Sequence, residues 1–246
     1  MLLISFLLLL STSQILSESL SDELSISIGQ VPWQASVQIN DKHHCGGAIY
    51  SPNIILTIAQ CVRQADVDII SVRVGSSLKS SGGQLVKVKK VRMQLLGLRP
   101  SDVAILKLSS PLELGSEVQA IELSQELPSP GTNATVSGWA QPNALVPSSE
   151  ILLKVNLQIQ DQLKCTAEKI LKGRVINVDE LCAAPSGVIP LACEGFVGGP
   201  LVSNKKLVGL VSYNNACGFL NSPSVYANIP ILQGWIKTTV QLLQIF

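Results

Sequence analysis

The feature that most limits the possible folds of this chain is a succession of short strand-like segments separated by turn residues. Three segments alternate apolar and polar residues, which is typical of strands with one buried face: 35–39, 86–89 and 153–157. Three others are short apolar runs, typical of fully buried strands: 54–56, 103–106 and 207–211. Between them lie turn-forming residues at 80–83, 99–100, 127–131 and 203–205. The pattern predicts an all-β sandwich or barrel.

The carboxyl-terminal end departs from this pattern. Between residues 231 and 243 the apolar side chains recur at helical spacing, after a proline at position 230 that suits a first helical turn. These side chains are Ile231, Leu232, Trp235, Ile236, Val240 and Leu243. We therefore predict a C-terminal helix over about 231–243 that packs on the β body. Residues 109–131 are the predicted connector between two halves.

Composition excludes several classes of function. The chain has 246 residues, of which 46% are hydrophobic and 14% charged, so it can bury a sizeable core and is not a disordered protein. The net charge of +1 provides no general attraction for nucleic acid or an anionic membrane. One basic strip, Lys87, Lys89, Lys90 and Arg92, matches a polyanion-binding pattern. We interpret it instead as the solvated face of a strand.

The amino-terminal residues predict export. Residues 2–10 form an apolar run broken only by Ser5, and small and polar residues follow from 11 to 19. The run is shorter than the roughly 20 residues that span a bilayer. A buried amphipathic helix or a membrane anchor is the alternative, but the pattern favours a signal peptide over residues 1–19, cut somewhere between 13 and 19. The expected product is secreted and extracellular, with no membrane span.

Six cysteines agree with that location: Cys45, Cys61, Cys165, Cys182, Cys193 and Cys217. An even count in an exported chain indicates disulfides, although spacing alone does not choose among the possible pairings. No pair forms a C-x-x-C motif, which argues against zinc or redox chemistry. A glycosylation sequon begins at Asn133, and an unused sequon at a strand start is the equal alternative.

Several motifs occur in a fixed order along nearly the whole mature chain. They are Val31-Pro32-Trp33-Gln34-Ala35-Ser36-Val37, His43-His44-Cys45-Gly46-Gly47-Ala48-Ile49, Leu56-Thr57-Ile58-Ala59-Gln60-Cys61, Asp102-Val103-Ala104-Ile105-Leu106-Lys107-Leu108, Val136-Ser137-Gly138-Trp139, Cys193-Glu194-Gly195-Phe196-Val197-Gly198-Gly199-Pro200-Leu201-Val202 and Val225-Tyr226-Ala227-Asn228. In these motifs the chain resembles the trypsin and chymotrypsin family of serine proteases.

The resemblance implies an all-β fold of two packed six-stranded antiparallel β-barrels with a C-terminal α-helix. The chymotrypsin-like domain would occupy 20–246, with one barrel over about 30–110 and the other over about 131–230. It also implies the pairings Cys45–Cys61, Cys165–Cys182 and Cys193–Cys217. Each bond closes a loop of 16 to 24 residues. Each would therefore contribute roughly 3 kcal/mol of stability.

The resemblance fails at the residues that carry the family's chemistry. That chemistry uses a serine nucleophile, a histidine base and an aspartate that orients the histidine. The family's Thr-Ala-Ala-His-Cys motif has Gln60 in place of histidine, and its Gly-Asp-Ser-Gly-Gly-Pro motif has Val197 in place of serine. Asp102 stands in a matching context. Neither His43 nor His44 replaces the base, because both precede Cys45 at the other end of the disulfide loop.

The activation device of the family is also altered. Family zymogens are cut after a basic residue, and the new amino terminus pairs with the aspartate beside the serine. Phe196 stands at that aspartate position, no Lys or Arg precedes Lys42, and the segment starting at Ile26 matches the Ile-Val-Gly-Gly signature poorly. Gly195 and Val197 match the family's oxyanion-hole positions, so some rate over that in water is expected to survive from their backbone groups.

The family's substrate pocket carries substitutions as well. Leu191 stands where trypsins carry an aspartate, so no cationic substrate side chain is expected. The Ser-Trp-Gly wall of the family places Ser212 and Asn214 here, and Ser224 stands at the second pocket glycine. The added side chains predict a narrowed or closed slot.

These residues predict a secreted, catalytically inactive protease homologue that acts by binding. By analogy with such homologues, the partner would be an active protease, a protease inhibitor or an extracellular receptor, in immunity or reproduction. Two alternatives stay open: a residual or non-standard hydrolase, and a redundant copy with no distinct role. A cysteine nucleophile would need an unpaired thiol, and two adjacent histidines hardly supply zinc ligands, so we expect no cofactor or metal.

Overall fold

The computed structural model describes residues 24–94, 102–139, 149–171, 173–185, 196–212 and 223–245. Within these ranges the structure is mostly β-sheet. The strands are β1 Gln34–Ile39, β2 Lys42–Ser51, β3 Ile54–Thr57, β4 Ile70–Val74, β5 Gln84–Met93, β6 Ala104–Leu108, β7 Glu122–Leu123, β8 Asn133–Gly138, β9 Leu153–Ile159, β10 Glu180–Pro185, β11 Pro200–Ser203, β12 Lys206–Val211 and β13 Ser224–Asn228. The α-helices are α1 Gln162–Leu171 and α2 Ile229–Ile245, and short 3₁₀ turns occupy Ile28–Gln30, Ala59–Cys61 and Val67–Ile69.

The first barrel contains strands β1 to β6. Its strands are hydrogen-bonded in the order β1-β2-β3-β6-β5-β4, and β4 returns to β1, where Ala35 lies opposite Val74. The β1–β2 hairpin turns at Asn40 and Asp41, whose φ angles of 51° and 60° are those that a two-residue hairpin turn requires. Every side chain of β3 is buried, as expected for a strand that reads as an uninterrupted apolar run.

The second barrel is built from later strands in the same manner. The order β11-β8-β9-β10-β13-β12 closes through the pairing of β11 with β12, and β7 adds a short parallel strand beside β12. The predicted turn at 203–205 is the β11–β12 hairpin, with Asn204 and Lys205 at φ angles of 49° and 60°. The predicted fold of two six-stranded antiparallel barrels with a C-terminal helix is confirmed.

Helix α2 follows the second barrel in sequence and packs against both barrels, on β6 of the first and on β12 and β7 of the second. Its buried face includes Leu232, Ile236, Val240 and Leu243, which recur at helical spacing and join a core cluster that contains residues of both barrels. Lys107 of β6 donates a hydrogen bond from Nζ to the carbonyl oxygen of Leu243. A cation at this end satisfies a carbonyl that lacks a partner within the helix and complements the helix dipole.

Helix α1 was not predicted from the sequence. Its buried residues are Cys165 and Lys169, whereas the large apolar side chains Leu163 and Leu171 are 80% and 88% exposed. The apolar pattern therefore does not mark the buried face. The sequence does contain an N-cap residue for this helix, Asp161. Its carboxylate accepts a hydrogen bond from the backbone N–H of Lys164 at 2.9 Å, as an N-cap residue does.

Two disulfides join elements that lie near each other in space. Cys45–Cys61 links β2 to the 3₁₀ turn Ala59–Cys61, and Cys165–Cys182 links α1 to β10. Both pairings agree with the resemblance. The third expected pair, Cys193–Cys217, and the predicted signal peptide at 1–19 lie outside the described residues. Among the residues that the structure describes, no helix is long and apolar enough to cross a membrane.

Candidate functional site

The Asp102 carboxylate lies where the two barrels meet. It precedes β6 of the first barrel, and its Oδ1 accepts a hydrogen bond from the backbone N–H of Gln60 at 3.3 Å. Its Oδ2 accepts a hydrogen bond from the hydroxyl of Ser212, which directly follows β12 of the second barrel, at 2.8 Å. Asp102 thus holds the backbone near Gln60, and it also links the two barrels.

Gln60 sits in the middle of the 3₁₀ turn Ala59–Cys61. Its neighbours Ala59 and Cys61 are buried, and the disulfide from Cys61 to Cys45 fixes the turn against β2. The backbone of Gln60 is held by Asp102, while the residue itself is exposed. The fold therefore fixes the position of Gln60 without burying its side chain.

Phe196, Val197, Gly198 and Gly199 form a tight turn before β11, which we call the 196–199 turn. The N–H of Gly199 donates to the Phe196 carbonyl at 2.7 Å, and the N–H of Gly46 in β2 donates to the Val197 carbonyl at 2.7 Å. Val197 is partly buried and packs against the cores of both barrels. The turn is therefore wedged between the barrels, beside the segment that carries Cys45.

Glycine is required within the 196–199 turn for steric reasons. Gly198 has a φ of +78°, and a Cβ there would lie 2.5 Å from the Gly46 carbonyl oxygen and 2.6 Å from Thr57 Oγ1. That hydroxyl itself donates to the Gly46 carbonyl at 2.8 Å. A side chain at position 198 would have to displace both backbone and this hydrogen bond. The close approach of the two barrels thus depends on this glycine.

Phe196 is fully buried in the core of the second barrel. Its companions in this cluster include Leu181, Leu201 and Tyr226. Burial raises the pKa of the Tyr226 phenol above its ordinary value, which reflects the apolar character of this interior. An aspartate in place of Phe196 would have to bury a carboxylate in the same surroundings.

A second buried contact between the barrels was missed by the sequence reasoning. Gln34 of β1 is fully buried, and its Oε1 accepts a hydrogen bond from Ser137 Oγ of β8 at 2.6 Å. Ser212 was likewise expected only in a pocket wall, whereas it binds Asp102. Both Gln34 and Ser137 lie in motifs that resemble those of the family. The motifs do not indicate which of their residues meet in the folded chain.

The two histidines have different surroundings. His43 Nδ1 is hydrogen-bonded to Ser36 Oγ at 2.8 Å, and its ring lies edge-on to Trp139 at 5.2 Å between centroids. Burial, followed by the nearby charge of Lys79, lowers the pKa of His43 to about 4, although Glu150 acts in the opposite direction. His43 is therefore neutral at pH 7. His44 is exposed.

Of the remaining predicted site residues, one is buried, one is exposed and three lie outside the described residues. Ser224 lies on β13 and is 1% exposed. Leu191, Gly195 and Asn214 lie outside the described residues, so the predicted pocket and oxyanion hole stay predictions. Asn133 is exposed at the start of β8, where its side chain is accessible. Within the described ranges no group of three or more His, Cys, Asp or Glu side chains is arranged to hold a metal ion.

Comparison with known proteins identifies the family of this chain. A sequence model of the trypsin family matches residues 23–236. The chain belongs to the trypsin family. It is 38% identical to trypsin alpha of Drosophila melanogaster over 219 residues, covering 87% of this chain and 84% of the relative. It is 41% identical to trypsin iota of the same fly over 222 residues, covering 88% and 85%.

Solved structures of the trypsin-like fold agree. The scabies mite inactivated protease paralogue S-D1 superposes with a TM-score of 0.80 at 27% identity, covering 89% of this chain and 96% of that one. Mouse neuropsin, a serine protease expressed in the limbic system, superposes with a TM-score of 0.77 at 28% identity, covering 88% and 98%. The two-barrel framework around Asp102 is therefore that of a trypsin-family protein.

Proposed function

We propose that this trypsin-family chain is a secreted protein without peptidase activity that acts by binding another protein. The observation that carries the proposal is the pair of side chains at the positions that match the family's nucleophile and base. Val197 offers only carbon atoms, and the amide of Gln60 cannot take up a proton at neutral pH. Loss of either group alone removes on the order of 10⁶ in turnover from a comparable triad.

The contacts of Asp102 support the same conclusion. In the family this carboxylate orients the imidazole of the base. Here its two oxygens accept hydrogen bonds from the Gln60 backbone and the Ser212 hydroxyl. We propose that Asp102 persists because it joins the barrels and not because it assists a proton transfer.

The surroundings of Phe196 support loss of the activation step. The family's aspartate at this position forms an ion pair with the amino terminus released by cleavage. Phe196 has no charge and is fully buried among apolar residues. We propose that the 196–199 turn is held by apolar packing and needs no cleavage to reach this conformation.

One structural neighbour offers an analogy. The mite paralogue that superposes on this chain is called an inactivated protease, so the fold is compatible with loss of catalysis. A non-catalytic trypsin fold must act through its surface. We propose as partner an active protease, a protease inhibitor or an extracellular receptor, in immunity or reproduction. Export through the predicted signal peptide, and glycosylation at the accessible Asn133, belong to the same proposal.

The proposal is tested by peptidase assays on the mature secreted chain. We expect no turnover of chromogenic Arg, Lys or Phe peptides and no labelling by a fluorophosphonate that reacts with active serines. The reverting variant Gln60→His/Val197→Ser is the matched control, since it restores both reacting groups without touching buried Phe196. Labelling of that variant alone would support the proposal. Hydrolysis by the unmodified chain that survives removal of copurifying proteases would overturn it.

The binding role is tested by affinity capture of the tagged mature protein from its native extracellular fluid. We expect an active protease, a protease inhibitor or a receptor in stoichiometric amount, identified by mass spectrometry. If no protein is recovered in stoichiometric amount from fluid in which the chain is abundant, the proposed binding role is overturned. The remaining hypothesis is then a redundant copy with no distinct role.

A further inference from the structure

The apolar side chains of helix α1 and of the loop after it face solvent. Leu163 and Leu171 of the helix and Val178 of the loop are each at least 80% exposed. They are the three most exposed large apolar residues in the part of the chain that the structure describes. Ile170 and Val175 are also more than half exposed. We call these five residues the α1 patch, and such a concentration of exposed apolar side chains marks an interaction surface.

The structure holds this face of α1 outward. On the opposite side of the helix Cys165 is buried, and its disulfide to Cys182 ties α1 to β10. The side-chain amide of Gln162 donates to the carbonyl oxygen of Glu180 at 2.9 Å. The loop is fixed as well, because the Arg174 guanidinium donates to the Glu180 carboxylate at 2.8 Å. These bonds prevent the helix from turning its leucines inward, so the α1 patch has one orientation before any partner binds.

The charges around the α1 patch are balanced. Between residues 161 and 180 the sequence contains four acidic and four basic side chains: Asp161, Glu168, Asp179 and Glu180 against Lys164, Lys169, Lys172 and Arg174. Helices that lie on an anionic membrane are rich in Lys and Arg on their polar face, which this balance does not match. The surface has no excess charge that would attract a strongly charged partner or repel an identical copy of itself.

The order of residues along α1 is self-complementary. Leu163 lies four residues before Ala167 and Leu171 lies four residues after it, and all three are exposed. Residues four apart lie on the same side of a helix and form the ridges through which helices pack. When two copies of α1 cross antiparallel at Ala167, Leu163 of each copy meets Leu171 of the other. The small side chain of Ala167 at the crossing point allows a close approach.

The size of the α1 patch fits a pair of identical copies. Five aliphatic side chains, each more than half exposed, leave on the order of 500 Å² of apolar surface on one copy. Two copies would together bury about 1,000 Å², which is at the low end of the range for specific interfaces. An interface of that size gives reversible association that depends on protein concentration.

We propose that the α1 patch binds the same patch of a second copy of this chain, about a two-fold axis that passes near Ala167. The dimer is weak and symmetric, and its interface contains neither Gln60 nor Val197. The inference goes beyond the proposed function, because it requires neither the loss of catalysis nor a partner of different sequence.

The test is sedimentation equilibrium of the mature chain between about 1 μM and about 1 mM, a range that covers weak association. We expect the weight-average mass to rise with concentration towards twice the mass of the monomer. A mass that stays at that of the monomer throughout would overturn the proposal. A mass that continues to rise beyond the dimer would overturn the closed two-fold pairing.

Substitutions locate the interface. Leu163→Gln is expected to weaken self-association about tenfold, because the symmetry removes its contact with Leu171 twice. Ala167→Glu should weaken it further, since two like charges then meet at the crossing point. Ile245→Gln is the matched control, because Ile245 is 72% exposed but lies on α2. Equal losses for Leu163→Gln and Ile245→Gln, or unchanged self-association of Ala167→Glu, would overturn the proposal.

A single added cysteine tests the position of the two-fold axis. A residue on such an axis lies beside its own counterpart in the second copy. Ala167→Cys should therefore form an intermolecular disulfide under mild oxidation. Thr238→Cys, at an exposed position of α2, is the control and should stay monomeric on a non-reducing gel. Equal rates of cross-linking for the two variants would show random collision and overturn the axis at Ala167.

A peptidase assay on the same samples keeps this inference distinct from the proposed function. A chain that stays monomeric and does not hydrolyse peptides overturns the dimer alone. A chain that dimerises through α1 and hydrolyses peptides overturns the proposed loss of catalysis and leaves the dimer in place.

Discussion

The 196–199 turn and the 3₁₀ turn Ala59–Cys61 carry the residues that we propose stand at the family's nucleophile and base positions, but they differ in how far these residues are buried. In the first, Phe196 is fully buried and Val197 packs against both cores. In the second, the backbone of Gln60 is held by Asp102 while the residue is exposed. The comparison teaches that the residues at one proposed site position can be part of the packing while the residue at another stays peripheral. Substitution of the buried residues of the 196–199 turn should therefore lower the free energy of unfolding, whereas substitution of Gln60 should not.

The largest expected effect is at Phe196. Phe196→Ala should lower the free energy of unfolding by about 4 kcal/mol, because it removes a fully buried ring and leaves a cavity in the second barrel. Chemical denaturation of the mature chain measures this. An exposed apolar residue, as in Leu242→Ala, is the control and should change stability by less than about 1 kcal/mol. A loss of less than about 1 kcal/mol for Phe196→Ala as well would show that Phe196 is not a stabilising part of the core, contrary to the comparison of the two turns.

The next largest effect is expected at Gly198, where the backbone conformation and a close backbone contact disfavour any side chain. Gly198→Ala should lower the free energy of unfolding by about 3 kcal/mol, since φ is +78° and a Cβ would lie 2.5 Å from the Gly46 carbonyl oxygen. Gly131→Ala is the matched control, because its φ is +84° but nothing lies within 4 Å of its Cβ. The difference between the two variants isolates the contacts of the added Cβ with Gly46 of β2 and Thr57 of β3. Equal losses would show that the φ angle alone matters.

The neighbouring residues His43 and His44 offer a second comparison of a residue held by packing with an exposed one, measured by changing the pH. Since the pKa of His43 is lowered to about 4, the unfolded chain binds a proton at this residue that the folded chain does not between pH 6.5 and 4. Stability should therefore fall as pH falls through that window, by no more than about 3 kcal/mol, and be fully present above it.

Denaturation curves at several pH values measure this, with His43→Gln and exposed His44→Gln as matched variants. We expect His43→Gln to remove that part of the acid sensitivity and His44→Gln to retain it. If the free energy of unfolding of both variants depends on pH as strongly as that of the unmodified chain, a group other than His43 causes the acid sensitivity.

The smallest effect is expected at Gln60. Gln60→His should change the free energy of unfolding by less than about 0.5 kcal/mol, because the residue is exposed and its backbone bond to Asp102 does not involve the side chain. Thermal unfolding compared with Gln60→Ala measures it. A loss above about 1 kcal/mol in both variants would mean that the Gln60 side chain has a structural role, and would remove the contrast between the two turns.

Much of the framework was predictable because its signals are local. Alternating residues at 35–39 and 153–157 mark strands with one buried face, and the spacing of apolar residues after position 230 marks α2, which the structure extends to Ile229–Ile245. Helix α1 was missed because its large apolar residues face outward and its buried residues include Lys169. Local periodicity cannot identify a helix whose buried side is not its apolar side.

The sequence by itself determined the chemical content of the candidate site. Gln60 and Val197 have the same functional groups in any conformation, and a carbon side chain or an amide cannot perform a serine's or a histidine's reaction. The β-rich class and the resemblance to a family with paired barrels also followed from residue type, order and spacing.

Only the tertiary structure decided which groups meet. The link from Asp102 to Ser212 spans 110 residues, and that from Gln34 to Ser137 spans 103. The pairing of β5 with β6 likewise contains a β-bulge, since Val88 lies opposite Leu108 but Lys90 lies opposite Lys107. The physical reason is that such contacts depend on closure of two barrels and on the register of paired strands. No local segment of the chain specifies either one.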